Sequence, residues 1–414
     1  MPVIPIVLEQ HAEEAAFLWL LRDAAVHEPH YSLSDLAHLD DRIEAHIDGL
    51  RIAGDEGWEL LKETLAWEEA GEVFAAAVLA FETGVEKRIQ AVLEAGSDDY
   101  ELSRGLVSAL GWLPFNQTNG YVQDLAAAES SALRRIGLAA FAVHRQDPGQ
   151  FLVNALSDSD SVLRARALRA VGELGRKDLL PILKDHIDED DEHCRFFAAW
   201  SAAVLGDAST VPILRNIAEG EKRYAENACC MAVRLLHLSD AHVWVQELFK
   251  NPNLQRLAVT GYGVIGDPMA VAWLIQMMEV EELARVAGES FTMITGVDLA
   301  YEDLEGEWPE GFEAGPTESP EDEDVEMDPD EDLPWPEPEL IAGWWDKNKG
   351  KFANGTRYLL GQPISYKHLQ QVLRNGYQRQ RAAAALELAM LHPGKPLFEV
   401  RAPGFRQKQI LGLK

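Results

Sequence analysis

Apolar residues recur at three- and four-residue steps through most of residues 1–301, and one stretch shows the unit clearly. In Ser161–Gly175, Leu163, Ala167, Ala170, Val171 and Leu174 fall on one face of a helix. Gly175 ends that helix, because the position after the last turn favours positive φ and glycine takes it without a Cβ clash. Lys177-Asp178 make a turn, and Leu179 to Ile187 read as a second helix with Pro181 in its first turn, where the missing N–H costs nothing.

The unit repeats at a spacing of 31: Asp160/Asp191, Arg164/Arg195, Ala167/Ala198, Leu174/Leu205, Gly175/Gly206, Pro181/Pro212 and Leu183/Leu214 superpose without a gap. A repeat of this length is a pair of helices whose apolar stripes are buried by stacking on the next pair. Weaker copies read as Trp58–Ala95 with stop Gly84, Ser103–Leu125 with stop Gly111, Ser131–Leu156, Ala225–Leu248 with Ser239 where the glycine should stand, a unit around stop Gly266, and Ala284–Gly296. About eight pairs then span residues 58–300, and a curved solenoid with a long inner surface follows.

The wording Ala167-Leu-Arg-Ala-Val-Gly-Glu-Leu-Gly175, Leu180-Pro-Ile-Leu183 and Gly266-Asp-Pro-Met-Ala-Val-Ala-Trp-Leu274 resembles the bilin-lyase-type HEAT repeats. That resemblance implies a fold and leaves function open, since such repeats serve lyases, hydroxylases, glycosylases and scaffolds alike. The fold class expected is all-α: a solenoid of HEAT-like helical hairpins with helical caps and a disordered acidic linker.

The flanks complete that plan. Residues 8–26 read as a helix with a broad apolar face. Ser32 and Asp35 form a capping box for a second helix carrying Leu36, Leu39, Ile43, Ile47 and Leu50, so residues 1–57 read as an N-terminal cap before the repeats of 58–301. At the other end, Tyr366–Asn375 and Gln378–Leu391 make a helix pair around Gly376, with Arg374, Arg379 and Arg381 clustered at its turn. An extended segment follows in which Phe398 and Phe405 bracket arginines and dock on the last repeat.

Charge divides the chain further. Of the net −32, residues 302–339 contribute −18 from 18 acids with no Lys or Arg, and they hold seven prolines. Residues 340–414 carry 13 Lys or Arg against three acids, leaving −24 for residues 1–301. The acidic stretch cannot bury enough apolar surface to offset its ordering entropy and reads as a disordered linker, able also to mimic a polyanion for the chain's own basic tail or a partner. Residues 340–414 read as a basic C-terminal helical segment.

Candidate chemistry adds little. Gly261-Tyr-Gly-Val-Ile-Gly266 fits the dinucleotide fingerprint in spelling, but its glycines finish a helix instead of following a strand, so Gly261 and Gly263 read as thinning the helix for close packing. His27-x-x-His30, with Glu28 and Asp40 or Asp41 nearby, straddles a proline turn and lacks helical ligand spacing. A single His-Glu step does not supply the repeated pairs that hydroxylases of this type use, and a body at −24 repels DNA. No G-x-S-x-G elbow appears, and Cys194, Cys229 and Cys230 read as core residues in a reducing compartment. No cofactor or metal is expected. With no long apolar run and no signal segment, the expected location is the cytoplasm, without membrane insertion.

Binding is what remains. Asp185, Asp188, Glu189, Asp190, Asp191 and Glu192 at one inter-repeat loop, with Glu219 and Glu221 at the next, form an acidic surface suited to a protein partner with a basic surface. Arg374, Arg379 and Arg381 are a second candidate contact. Taken whole, the chain resembles a proteobacterial HEAT-repeat family commonly encoded beside type VI secretion genes. The resemblance is carried by His11-Ala-Glu-Glu-Ala-Ala-Phe-Leu-Trp19, Pro29-His-Tyr31, Leu39-Asp-Asp-Arg-Ile, Ala45-His-Ile-Asp-Gly-Leu-Arg51, Ala287-Gly-Glu-Ser-Phe-Thr-Met-Ile-Thr-Gly296 and Arg379-Gln-Arg-Ala-Ala-Ala-Ala-Leu-Glu-Leu. It implies an accessory role as adaptor, chaperone or immunity protein, and no reaction. The alternative function is a HEAT-scaffold lyase acting on a tetrapyrrole-like ligand.

Overall fold

Each predicted hairpin exposes an apolar stripe that only a neighbour can bury, and helices packed in order do so here. The computed structural model describes residues 4–220, 222–315 and 328–413. The fold is all-α, of the HEAT-like solenoid class. It divides into two compact units, Met1–Leu205 with Leu373–Lys414, and Gly206–Val372. The basic segment expected as one piece from residue 340 is therefore shared between units.

In the first unit, α1 (Pro5–Ala25) and α2 (Leu33–Ala53) pack together as the opening pair. The capping box is present: the Ser32 hydroxyl accepts from the Ser34 and Asp35 amides, and the Asp35 carboxylate accepts from the Ser32 amide at 2.9 Å. There follow α3 (Asp55–Thr64), α4 (Ala70–Thr83), α5 (Glu86–Gly96), α6 (Leu102–Trp112), α7 (Phe115–Ala127) and α8 (Ser131–Val143). Next come α9 (Gln150–Ala155), α10 (Ser161–Glu173), α11 (Leu180–Asp185) and α12 (Glu192–Val204). Helices α4, α6, α8, α10 and α12 pack successively on one another, with α5, α7, α9 and α11 against them. The apolar core follows that order from Leu8 through Phe141 and from Leu138 through Leu205.

The second unit repeats the plan with α13 (Val211–Gly220), α14 (Ala225–Leu235), α15 (Leu238–Phe249), α16 (Gln255–Ile265), α17 (Val271–Met277) and α18 (Glu281–Thr295). Here α14, α16 and α18 stack, and α19 (Pro338–Asn348) packs on α17. A short antiparallel pair, β1 (Tyr358–Leu359) and β2 (Gln362–Pro363), precedes α20 (Tyr366–Asn375), within which the unit boundary falls. In the first unit again, α21 (Gln378–Leu391) contacts α12, and α22 (Gly404–Leu411) contacts α2.

Helix-to-helix spacing is set by glycine facing serine. A Cβ on Gly172 of α10 would lie 2.6 Å from the Ser201 hydroxyl of α12, and one on Gly263 of α16 would lie 2.8 Å from that of Ser290 in α18. At each place the serine donates to the carbonyl four residues before the glycine, Leu168 at 2.7 Å and Val259 at 3.0 Å. The glycines of Gly261–Gly266 thus serve packing, as their helical setting predicted, and Gly266 ends α16 with φ +72°.

Stop glycines have a second use that the repeat spelling does not announce. In the first unit the extended residues after α21 run past the end of α10: the Leu397 amide donates to the Glu173 carbonyl at 2.9 Å. A Cβ on Gly175 would come within 2.7 Å of the Lys395 carbonyl group. In the second unit the Tyr358 amide donates to the Gly266 carbonyl at 2.8 Å, and Leu360 and Gly361 donate to Met293 and Ile294. A Cβ on Gly266 would lie 2.3 Å from the Tyr358 carbonyl oxygen. Arg357 adds side-chain donors to the Val264 and Ile265 carbonyls at 3.2 Å. Helix ends leave carbonyls without intrahelical partners, and each unit satisfies some of them with a strap of chain that a side chain at the stop position would obstruct.

Three expectations change. Gly111 lies inside the last turn of α6 and packs on Val143; the helix ends at Leu113 in extended geometry, so Gly111 is not a stop residue. The unit without a glycine turns at Leu236-His237, and Ser239 belongs to α15. Phe405 packs edge-on against Trp112 of α6 at 6.0 Å, and α22 docks on α2, so the tail caps the first unit's opening helices instead of the last repeat.

The acidic stretch is also more ordered than its composition predicts. Gly306 and Glu337 pair with the Trp335 and Leu304 carbonyls at 2.8 and 2.9 Å. Asp330 forms a two-pronged pair with Arg256 at 2.6 Å, and Asp328 binds Arg285, a 4% exposed guanidinium that also lies over Trp308 at 4.8 Å. These anchored ends correct the expectation of a wholly disordered 302–339; residues 316–327 lie outside those described. Aromatic rings and buried guanidiniums supply the energy that net charge and proline count concealed.

Replacing Gly175 by alanine is expected to destabilise the first unit by at least about 1–2 kcal/mol, from its φ of +68° alone, and to loosen the strap. Chemical denaturation, with amide exchange at Leu397 as the local readout, checks both effects.

Candidate functional site

The repeated Arg164/Arg195 and Asp160/Asp191 pairs form a ladder. Asp160 and Asp191 cap α10 and α12 by accepting from backbone amides of the first turn. The arginine four residues later reaches back into the loop before its own helix: Arg164 donates to the Asp158 carbonyl at 2.6 Å and Arg195 to the Glu189 carbonyl at 2.6 Å. Arg134 makes the same bond to Glu129. Two of them also reach forward, Arg134 to the Asp158 carboxylate at 2.7 Å and Arg164 to Glu189 at 3.0 Å. In the second unit Arg256 and Arg285 occupy similar places near the starts of α16 and α18 and find Asp330 and Asp328.

This ladder sorts the predicted acidic surface. Glu189 is held by Arg164 and also meets His186, and Asp191 is a helix cap. Burial raises the carboxyl pKa of both, but their hydrogen-bonding partners outweigh it and hold both below the ordinary range. Asp185, Asp188 and Asp190 are exposed, while Glu192 is half-buried beside His193 at 3.9 Å. In the second unit Glu219 is exposed and accepts from the Trp244 indole at 2.7 Å; Glu221 lies outside the described residues.

The predicted basic contact comes apart. Arg374 is exposed, but Arg379 donates to the His27 carbonyl at 2.8 Å. Arg381 is 0% exposed and bonds the Leu373 carbonyl at 2.8 Å together with the side-chain oxygens of Gln378 and Gln407. Burial lowers its pKa to about 10. Arg381 is a core residue that ties α21 to α22, and its assignment to partner binding is corrected.

Of the weighed metal residues, Asp40 is engaged in the structure. Asp40 is 1% exposed, pairs with Arg22 at 2.8 Å and accepts from the Gly404 amide, which fixes α22 on α2. Cys194 and Cys229 are buried, and burial raises both thiols well above their usual range; Cys230 rises to about 11 for the same reason. Such thiols stay protonated and are poor nucleophiles.

Sequence reasoning missed a polar cluster in the first unit. Arg166 and Arg169 of α10 both bind the Glu173 carboxylate at 2.8 Å. Arg145, just past α8, pairs with Glu399 at 3.0 Å and donates through Nε to the Leu397 carbonyl. Arg401 reaches Asp23 at 3.1 Å, and Arg104 shares that carboxylate. Burial pushes the Glu173 carboxyl up, but the guanidiniums of Arg166, Arg169 and Arg145 prevail and hold it at about 2. The i, i+3 and i, i+4 steps from Arg166 through Arg169 to Glu173 were legible, but Glu399 and Arg401 arrive from more than two hundred positions away.

In the second unit a cavity of about 360 Å³ lies among Thr295, Trp344, Lys351, Phe352 and Tyr358. Its volume falls near the lower end for small-molecule sites.

The stacked hairpins agree with what comparison finds. Residues 149–234 match the HEAT repeats family. HEAT repeats are shown for that stretch of the chain. No curated protein matches it. Repeats of this kind are commonly protein-interaction scaffolds, and among the described residues no helix is long and apolar enough to cross a membrane.

Glu173→Gln is expected to cost roughly 3 kcal/mol at pH 7, the equivalent of the Glu173 shift. Because the folded pKa is depressed, that contribution is present above pH 4.5 and fades as pH falls towards about 2. Urea melts of both proteins across that window test it. His144 donates to the Leu110 carbonyl, and burial and Arg406 lower its pKa from 6.5 to about 4. Its neutral form is favoured by folding, so stability should fall as pH drops from 6.5 to about 4, and His144→Gln should flatten the thermal-melt profile there.

Proposed function

We propose that this protein is a non-enzymatic scaffold that binds another protein, serving as an adaptor, chaperone or immunity factor linked to type VI secretion. The observation that carries the reading is the division of labour within the acidic loop before α12. Glu189 and Asp191 hold the repeats together, whereas Asp185, Asp188 and Asp190 face solvent. An edge that presents exposed carboxylates suits a basic partner surface, since its field speeds encounter.

The HEAT match over residues 149–234 supports the scaffold reading, because it includes this loop. The elevated thiol pKa values and the engagement of Asp40 in an internal ion pair support binding over catalysis. The link to secretion rests on the resemblance carried by residues 11–19, 29–31, 39–43, 45–51, 287–296 and 379–388. A cytoplasmic location accords with that role.

The test uses the full chain immobilised for surface plasmon resonance, with purified proteins encoded beside its gene as analytes. At least one basic protein is expected to bind, with an affinity that falls about tenfold or more as salt rises from roughly 50 to 300 mM. Joint replacement of Asp185, Asp188 and Asp190 by lysine should abolish that binding without changing the melting temperature by more than a few degrees. Binding unchanged by the triple replacement would remove this surface from the proposal.

A further inference from the structure

The cluster around Glu173 carries more positive charge than its own carboxylates neutralise. Five guanidiniums, those of Arg104, Arg145, Arg166, Arg169 and Arg401, meet four carboxylates, Asp23, Glu101, Glu173 and Glu399. The nearby Arg22 is matched by Asp40 and so leaves the count unchanged. A surplus of one cation, in a chain of net charge −32, is concentrated where the strap crosses α8 and α10.

One donor in the cluster has no acceptor. Arg166 binds Glu173 through one terminal nitrogen, and its other, Nη1, is buried without a hydrogen-bond partner. A buried guanidinium N–H left unpaired loses its hydration with no return, so a site that keeps one has use for an acceptor. Exposure grades the surroundings. Arg145 and Arg166 keep 16% of their side chains open, whereas Arg104, Arg169 and Arg401 keep about 40%. The Arg169 fork is positioned in advance, with Nε on Glu173 and the guanidinium carbon over the Phe197 ring, 5.5 Å from its centroid.

We infer that Arg166, Arg169 and Arg401 form a binding site for a small oxyanion, a phosphate or carboxylate group of a small molecule, with Arg169 and Arg401 meeting it first and Arg166 Nη1 behind them. Planar guanidinium forks match the paired oxygens of both groups and bind them by charge-assisted hydrogen bonds. Size follows from the charge of the whole chain: a polyanionic macromolecule is repelled by the net −32, while a single oxyanion within a Debye length of the cluster responds mainly to the local surplus. The site stands on different residues from the acidic loop and does not depend on whether that loop binds a protein.

Isothermal titration calorimetry of the full-length protein tests the assignment, with inorganic phosphate in one arm, succinate in a second and sodium chloride at matched ionic strength as the reference. Saturable binding of phosphate or succinate beyond the chloride reference is expected, and which of them binds more tightly tells tetrahedral from planar recognition. Arg166→Gln and Arg169→Gln should each weaken it by about tenfold, the loss of one charge-assisted contact. Arg169 lies on the more exposed side, so its variant decides the matter if Arg166→Gln does not fold. Heats indistinguishable from chloride in both arms, or equal affinity in the wild type and the folded variants, would overturn the site.

Discussion

Carbonyl groups at the ends of stacked helices must find donors, and the rest of this structure follows from how they do so. Each α-helix leaves its last carbonyls without intrahelical partners. Where helices α4 to α12, and again α14 to α18, lie side by side, such groups recur along one edge of a unit. Water could serve them at the surface. Instead each unit brings back a distant piece of chain, residues 395–407 in one and 353–363 in the other, whose amides and arginines donate to these carbonyls. The approach is close enough to need glycine at the stop positions, so one residue type both ends a helix and admits the strap.

That solution explains the distribution of charge better than a picture of an acidic body with a basic tail. Basic residues from the C-terminal part are drawn to helix C-termini, where the partial negative charge of the backbone favours them. Arg406 reaches the Gly111 carbonyl and Arg357 the carbonyls near Gly266. The ladder arginines near the opposite helix ends recruit acids, from the inter-repeat loop in the first unit and from the ends of the acidic stretch in the second. Charge that looks segregated along the chain is largely interleaved within each unit. The exposed carboxylates before α12 and the cationic surplus around Glu173 are left over from this interleaving, and those are where binding is proposed.

How much was legible depends on the range of the interaction. The 31-residue spacing, the positive-φ stops at Gly175, Gly206, Gly266 and Gly296 and the Ser32–Asp35 capping box were all readable, since each depends on residues within one or two turns. Gly111 misled because a glycine in the last turn of a helix and one just after it look alike in sequence, although the first serves packing against Val143. Arg381 misled for a related reason. Beside Arg374 and Arg379 it read as part of a surface patch, yet its helix face points it into Gln378 and Gln407, where neutral oxygens take the place of a counter-ion.

By itself the sequence determined most of the repeat helices, their pairing into hairpins and the all-α repeat class, because helical periodicity and stop residues act over a few positions. Tertiary structure alone decided where the tail docks, that the ends of the acidic stretch are anchored, and that Arg145, Arg169 and Arg401 gather about Glu173 and Glu399. Those outcomes join residues far apart in the chain, and their energy comes from desolvated charges and ring faces whose partners no local pattern identifies.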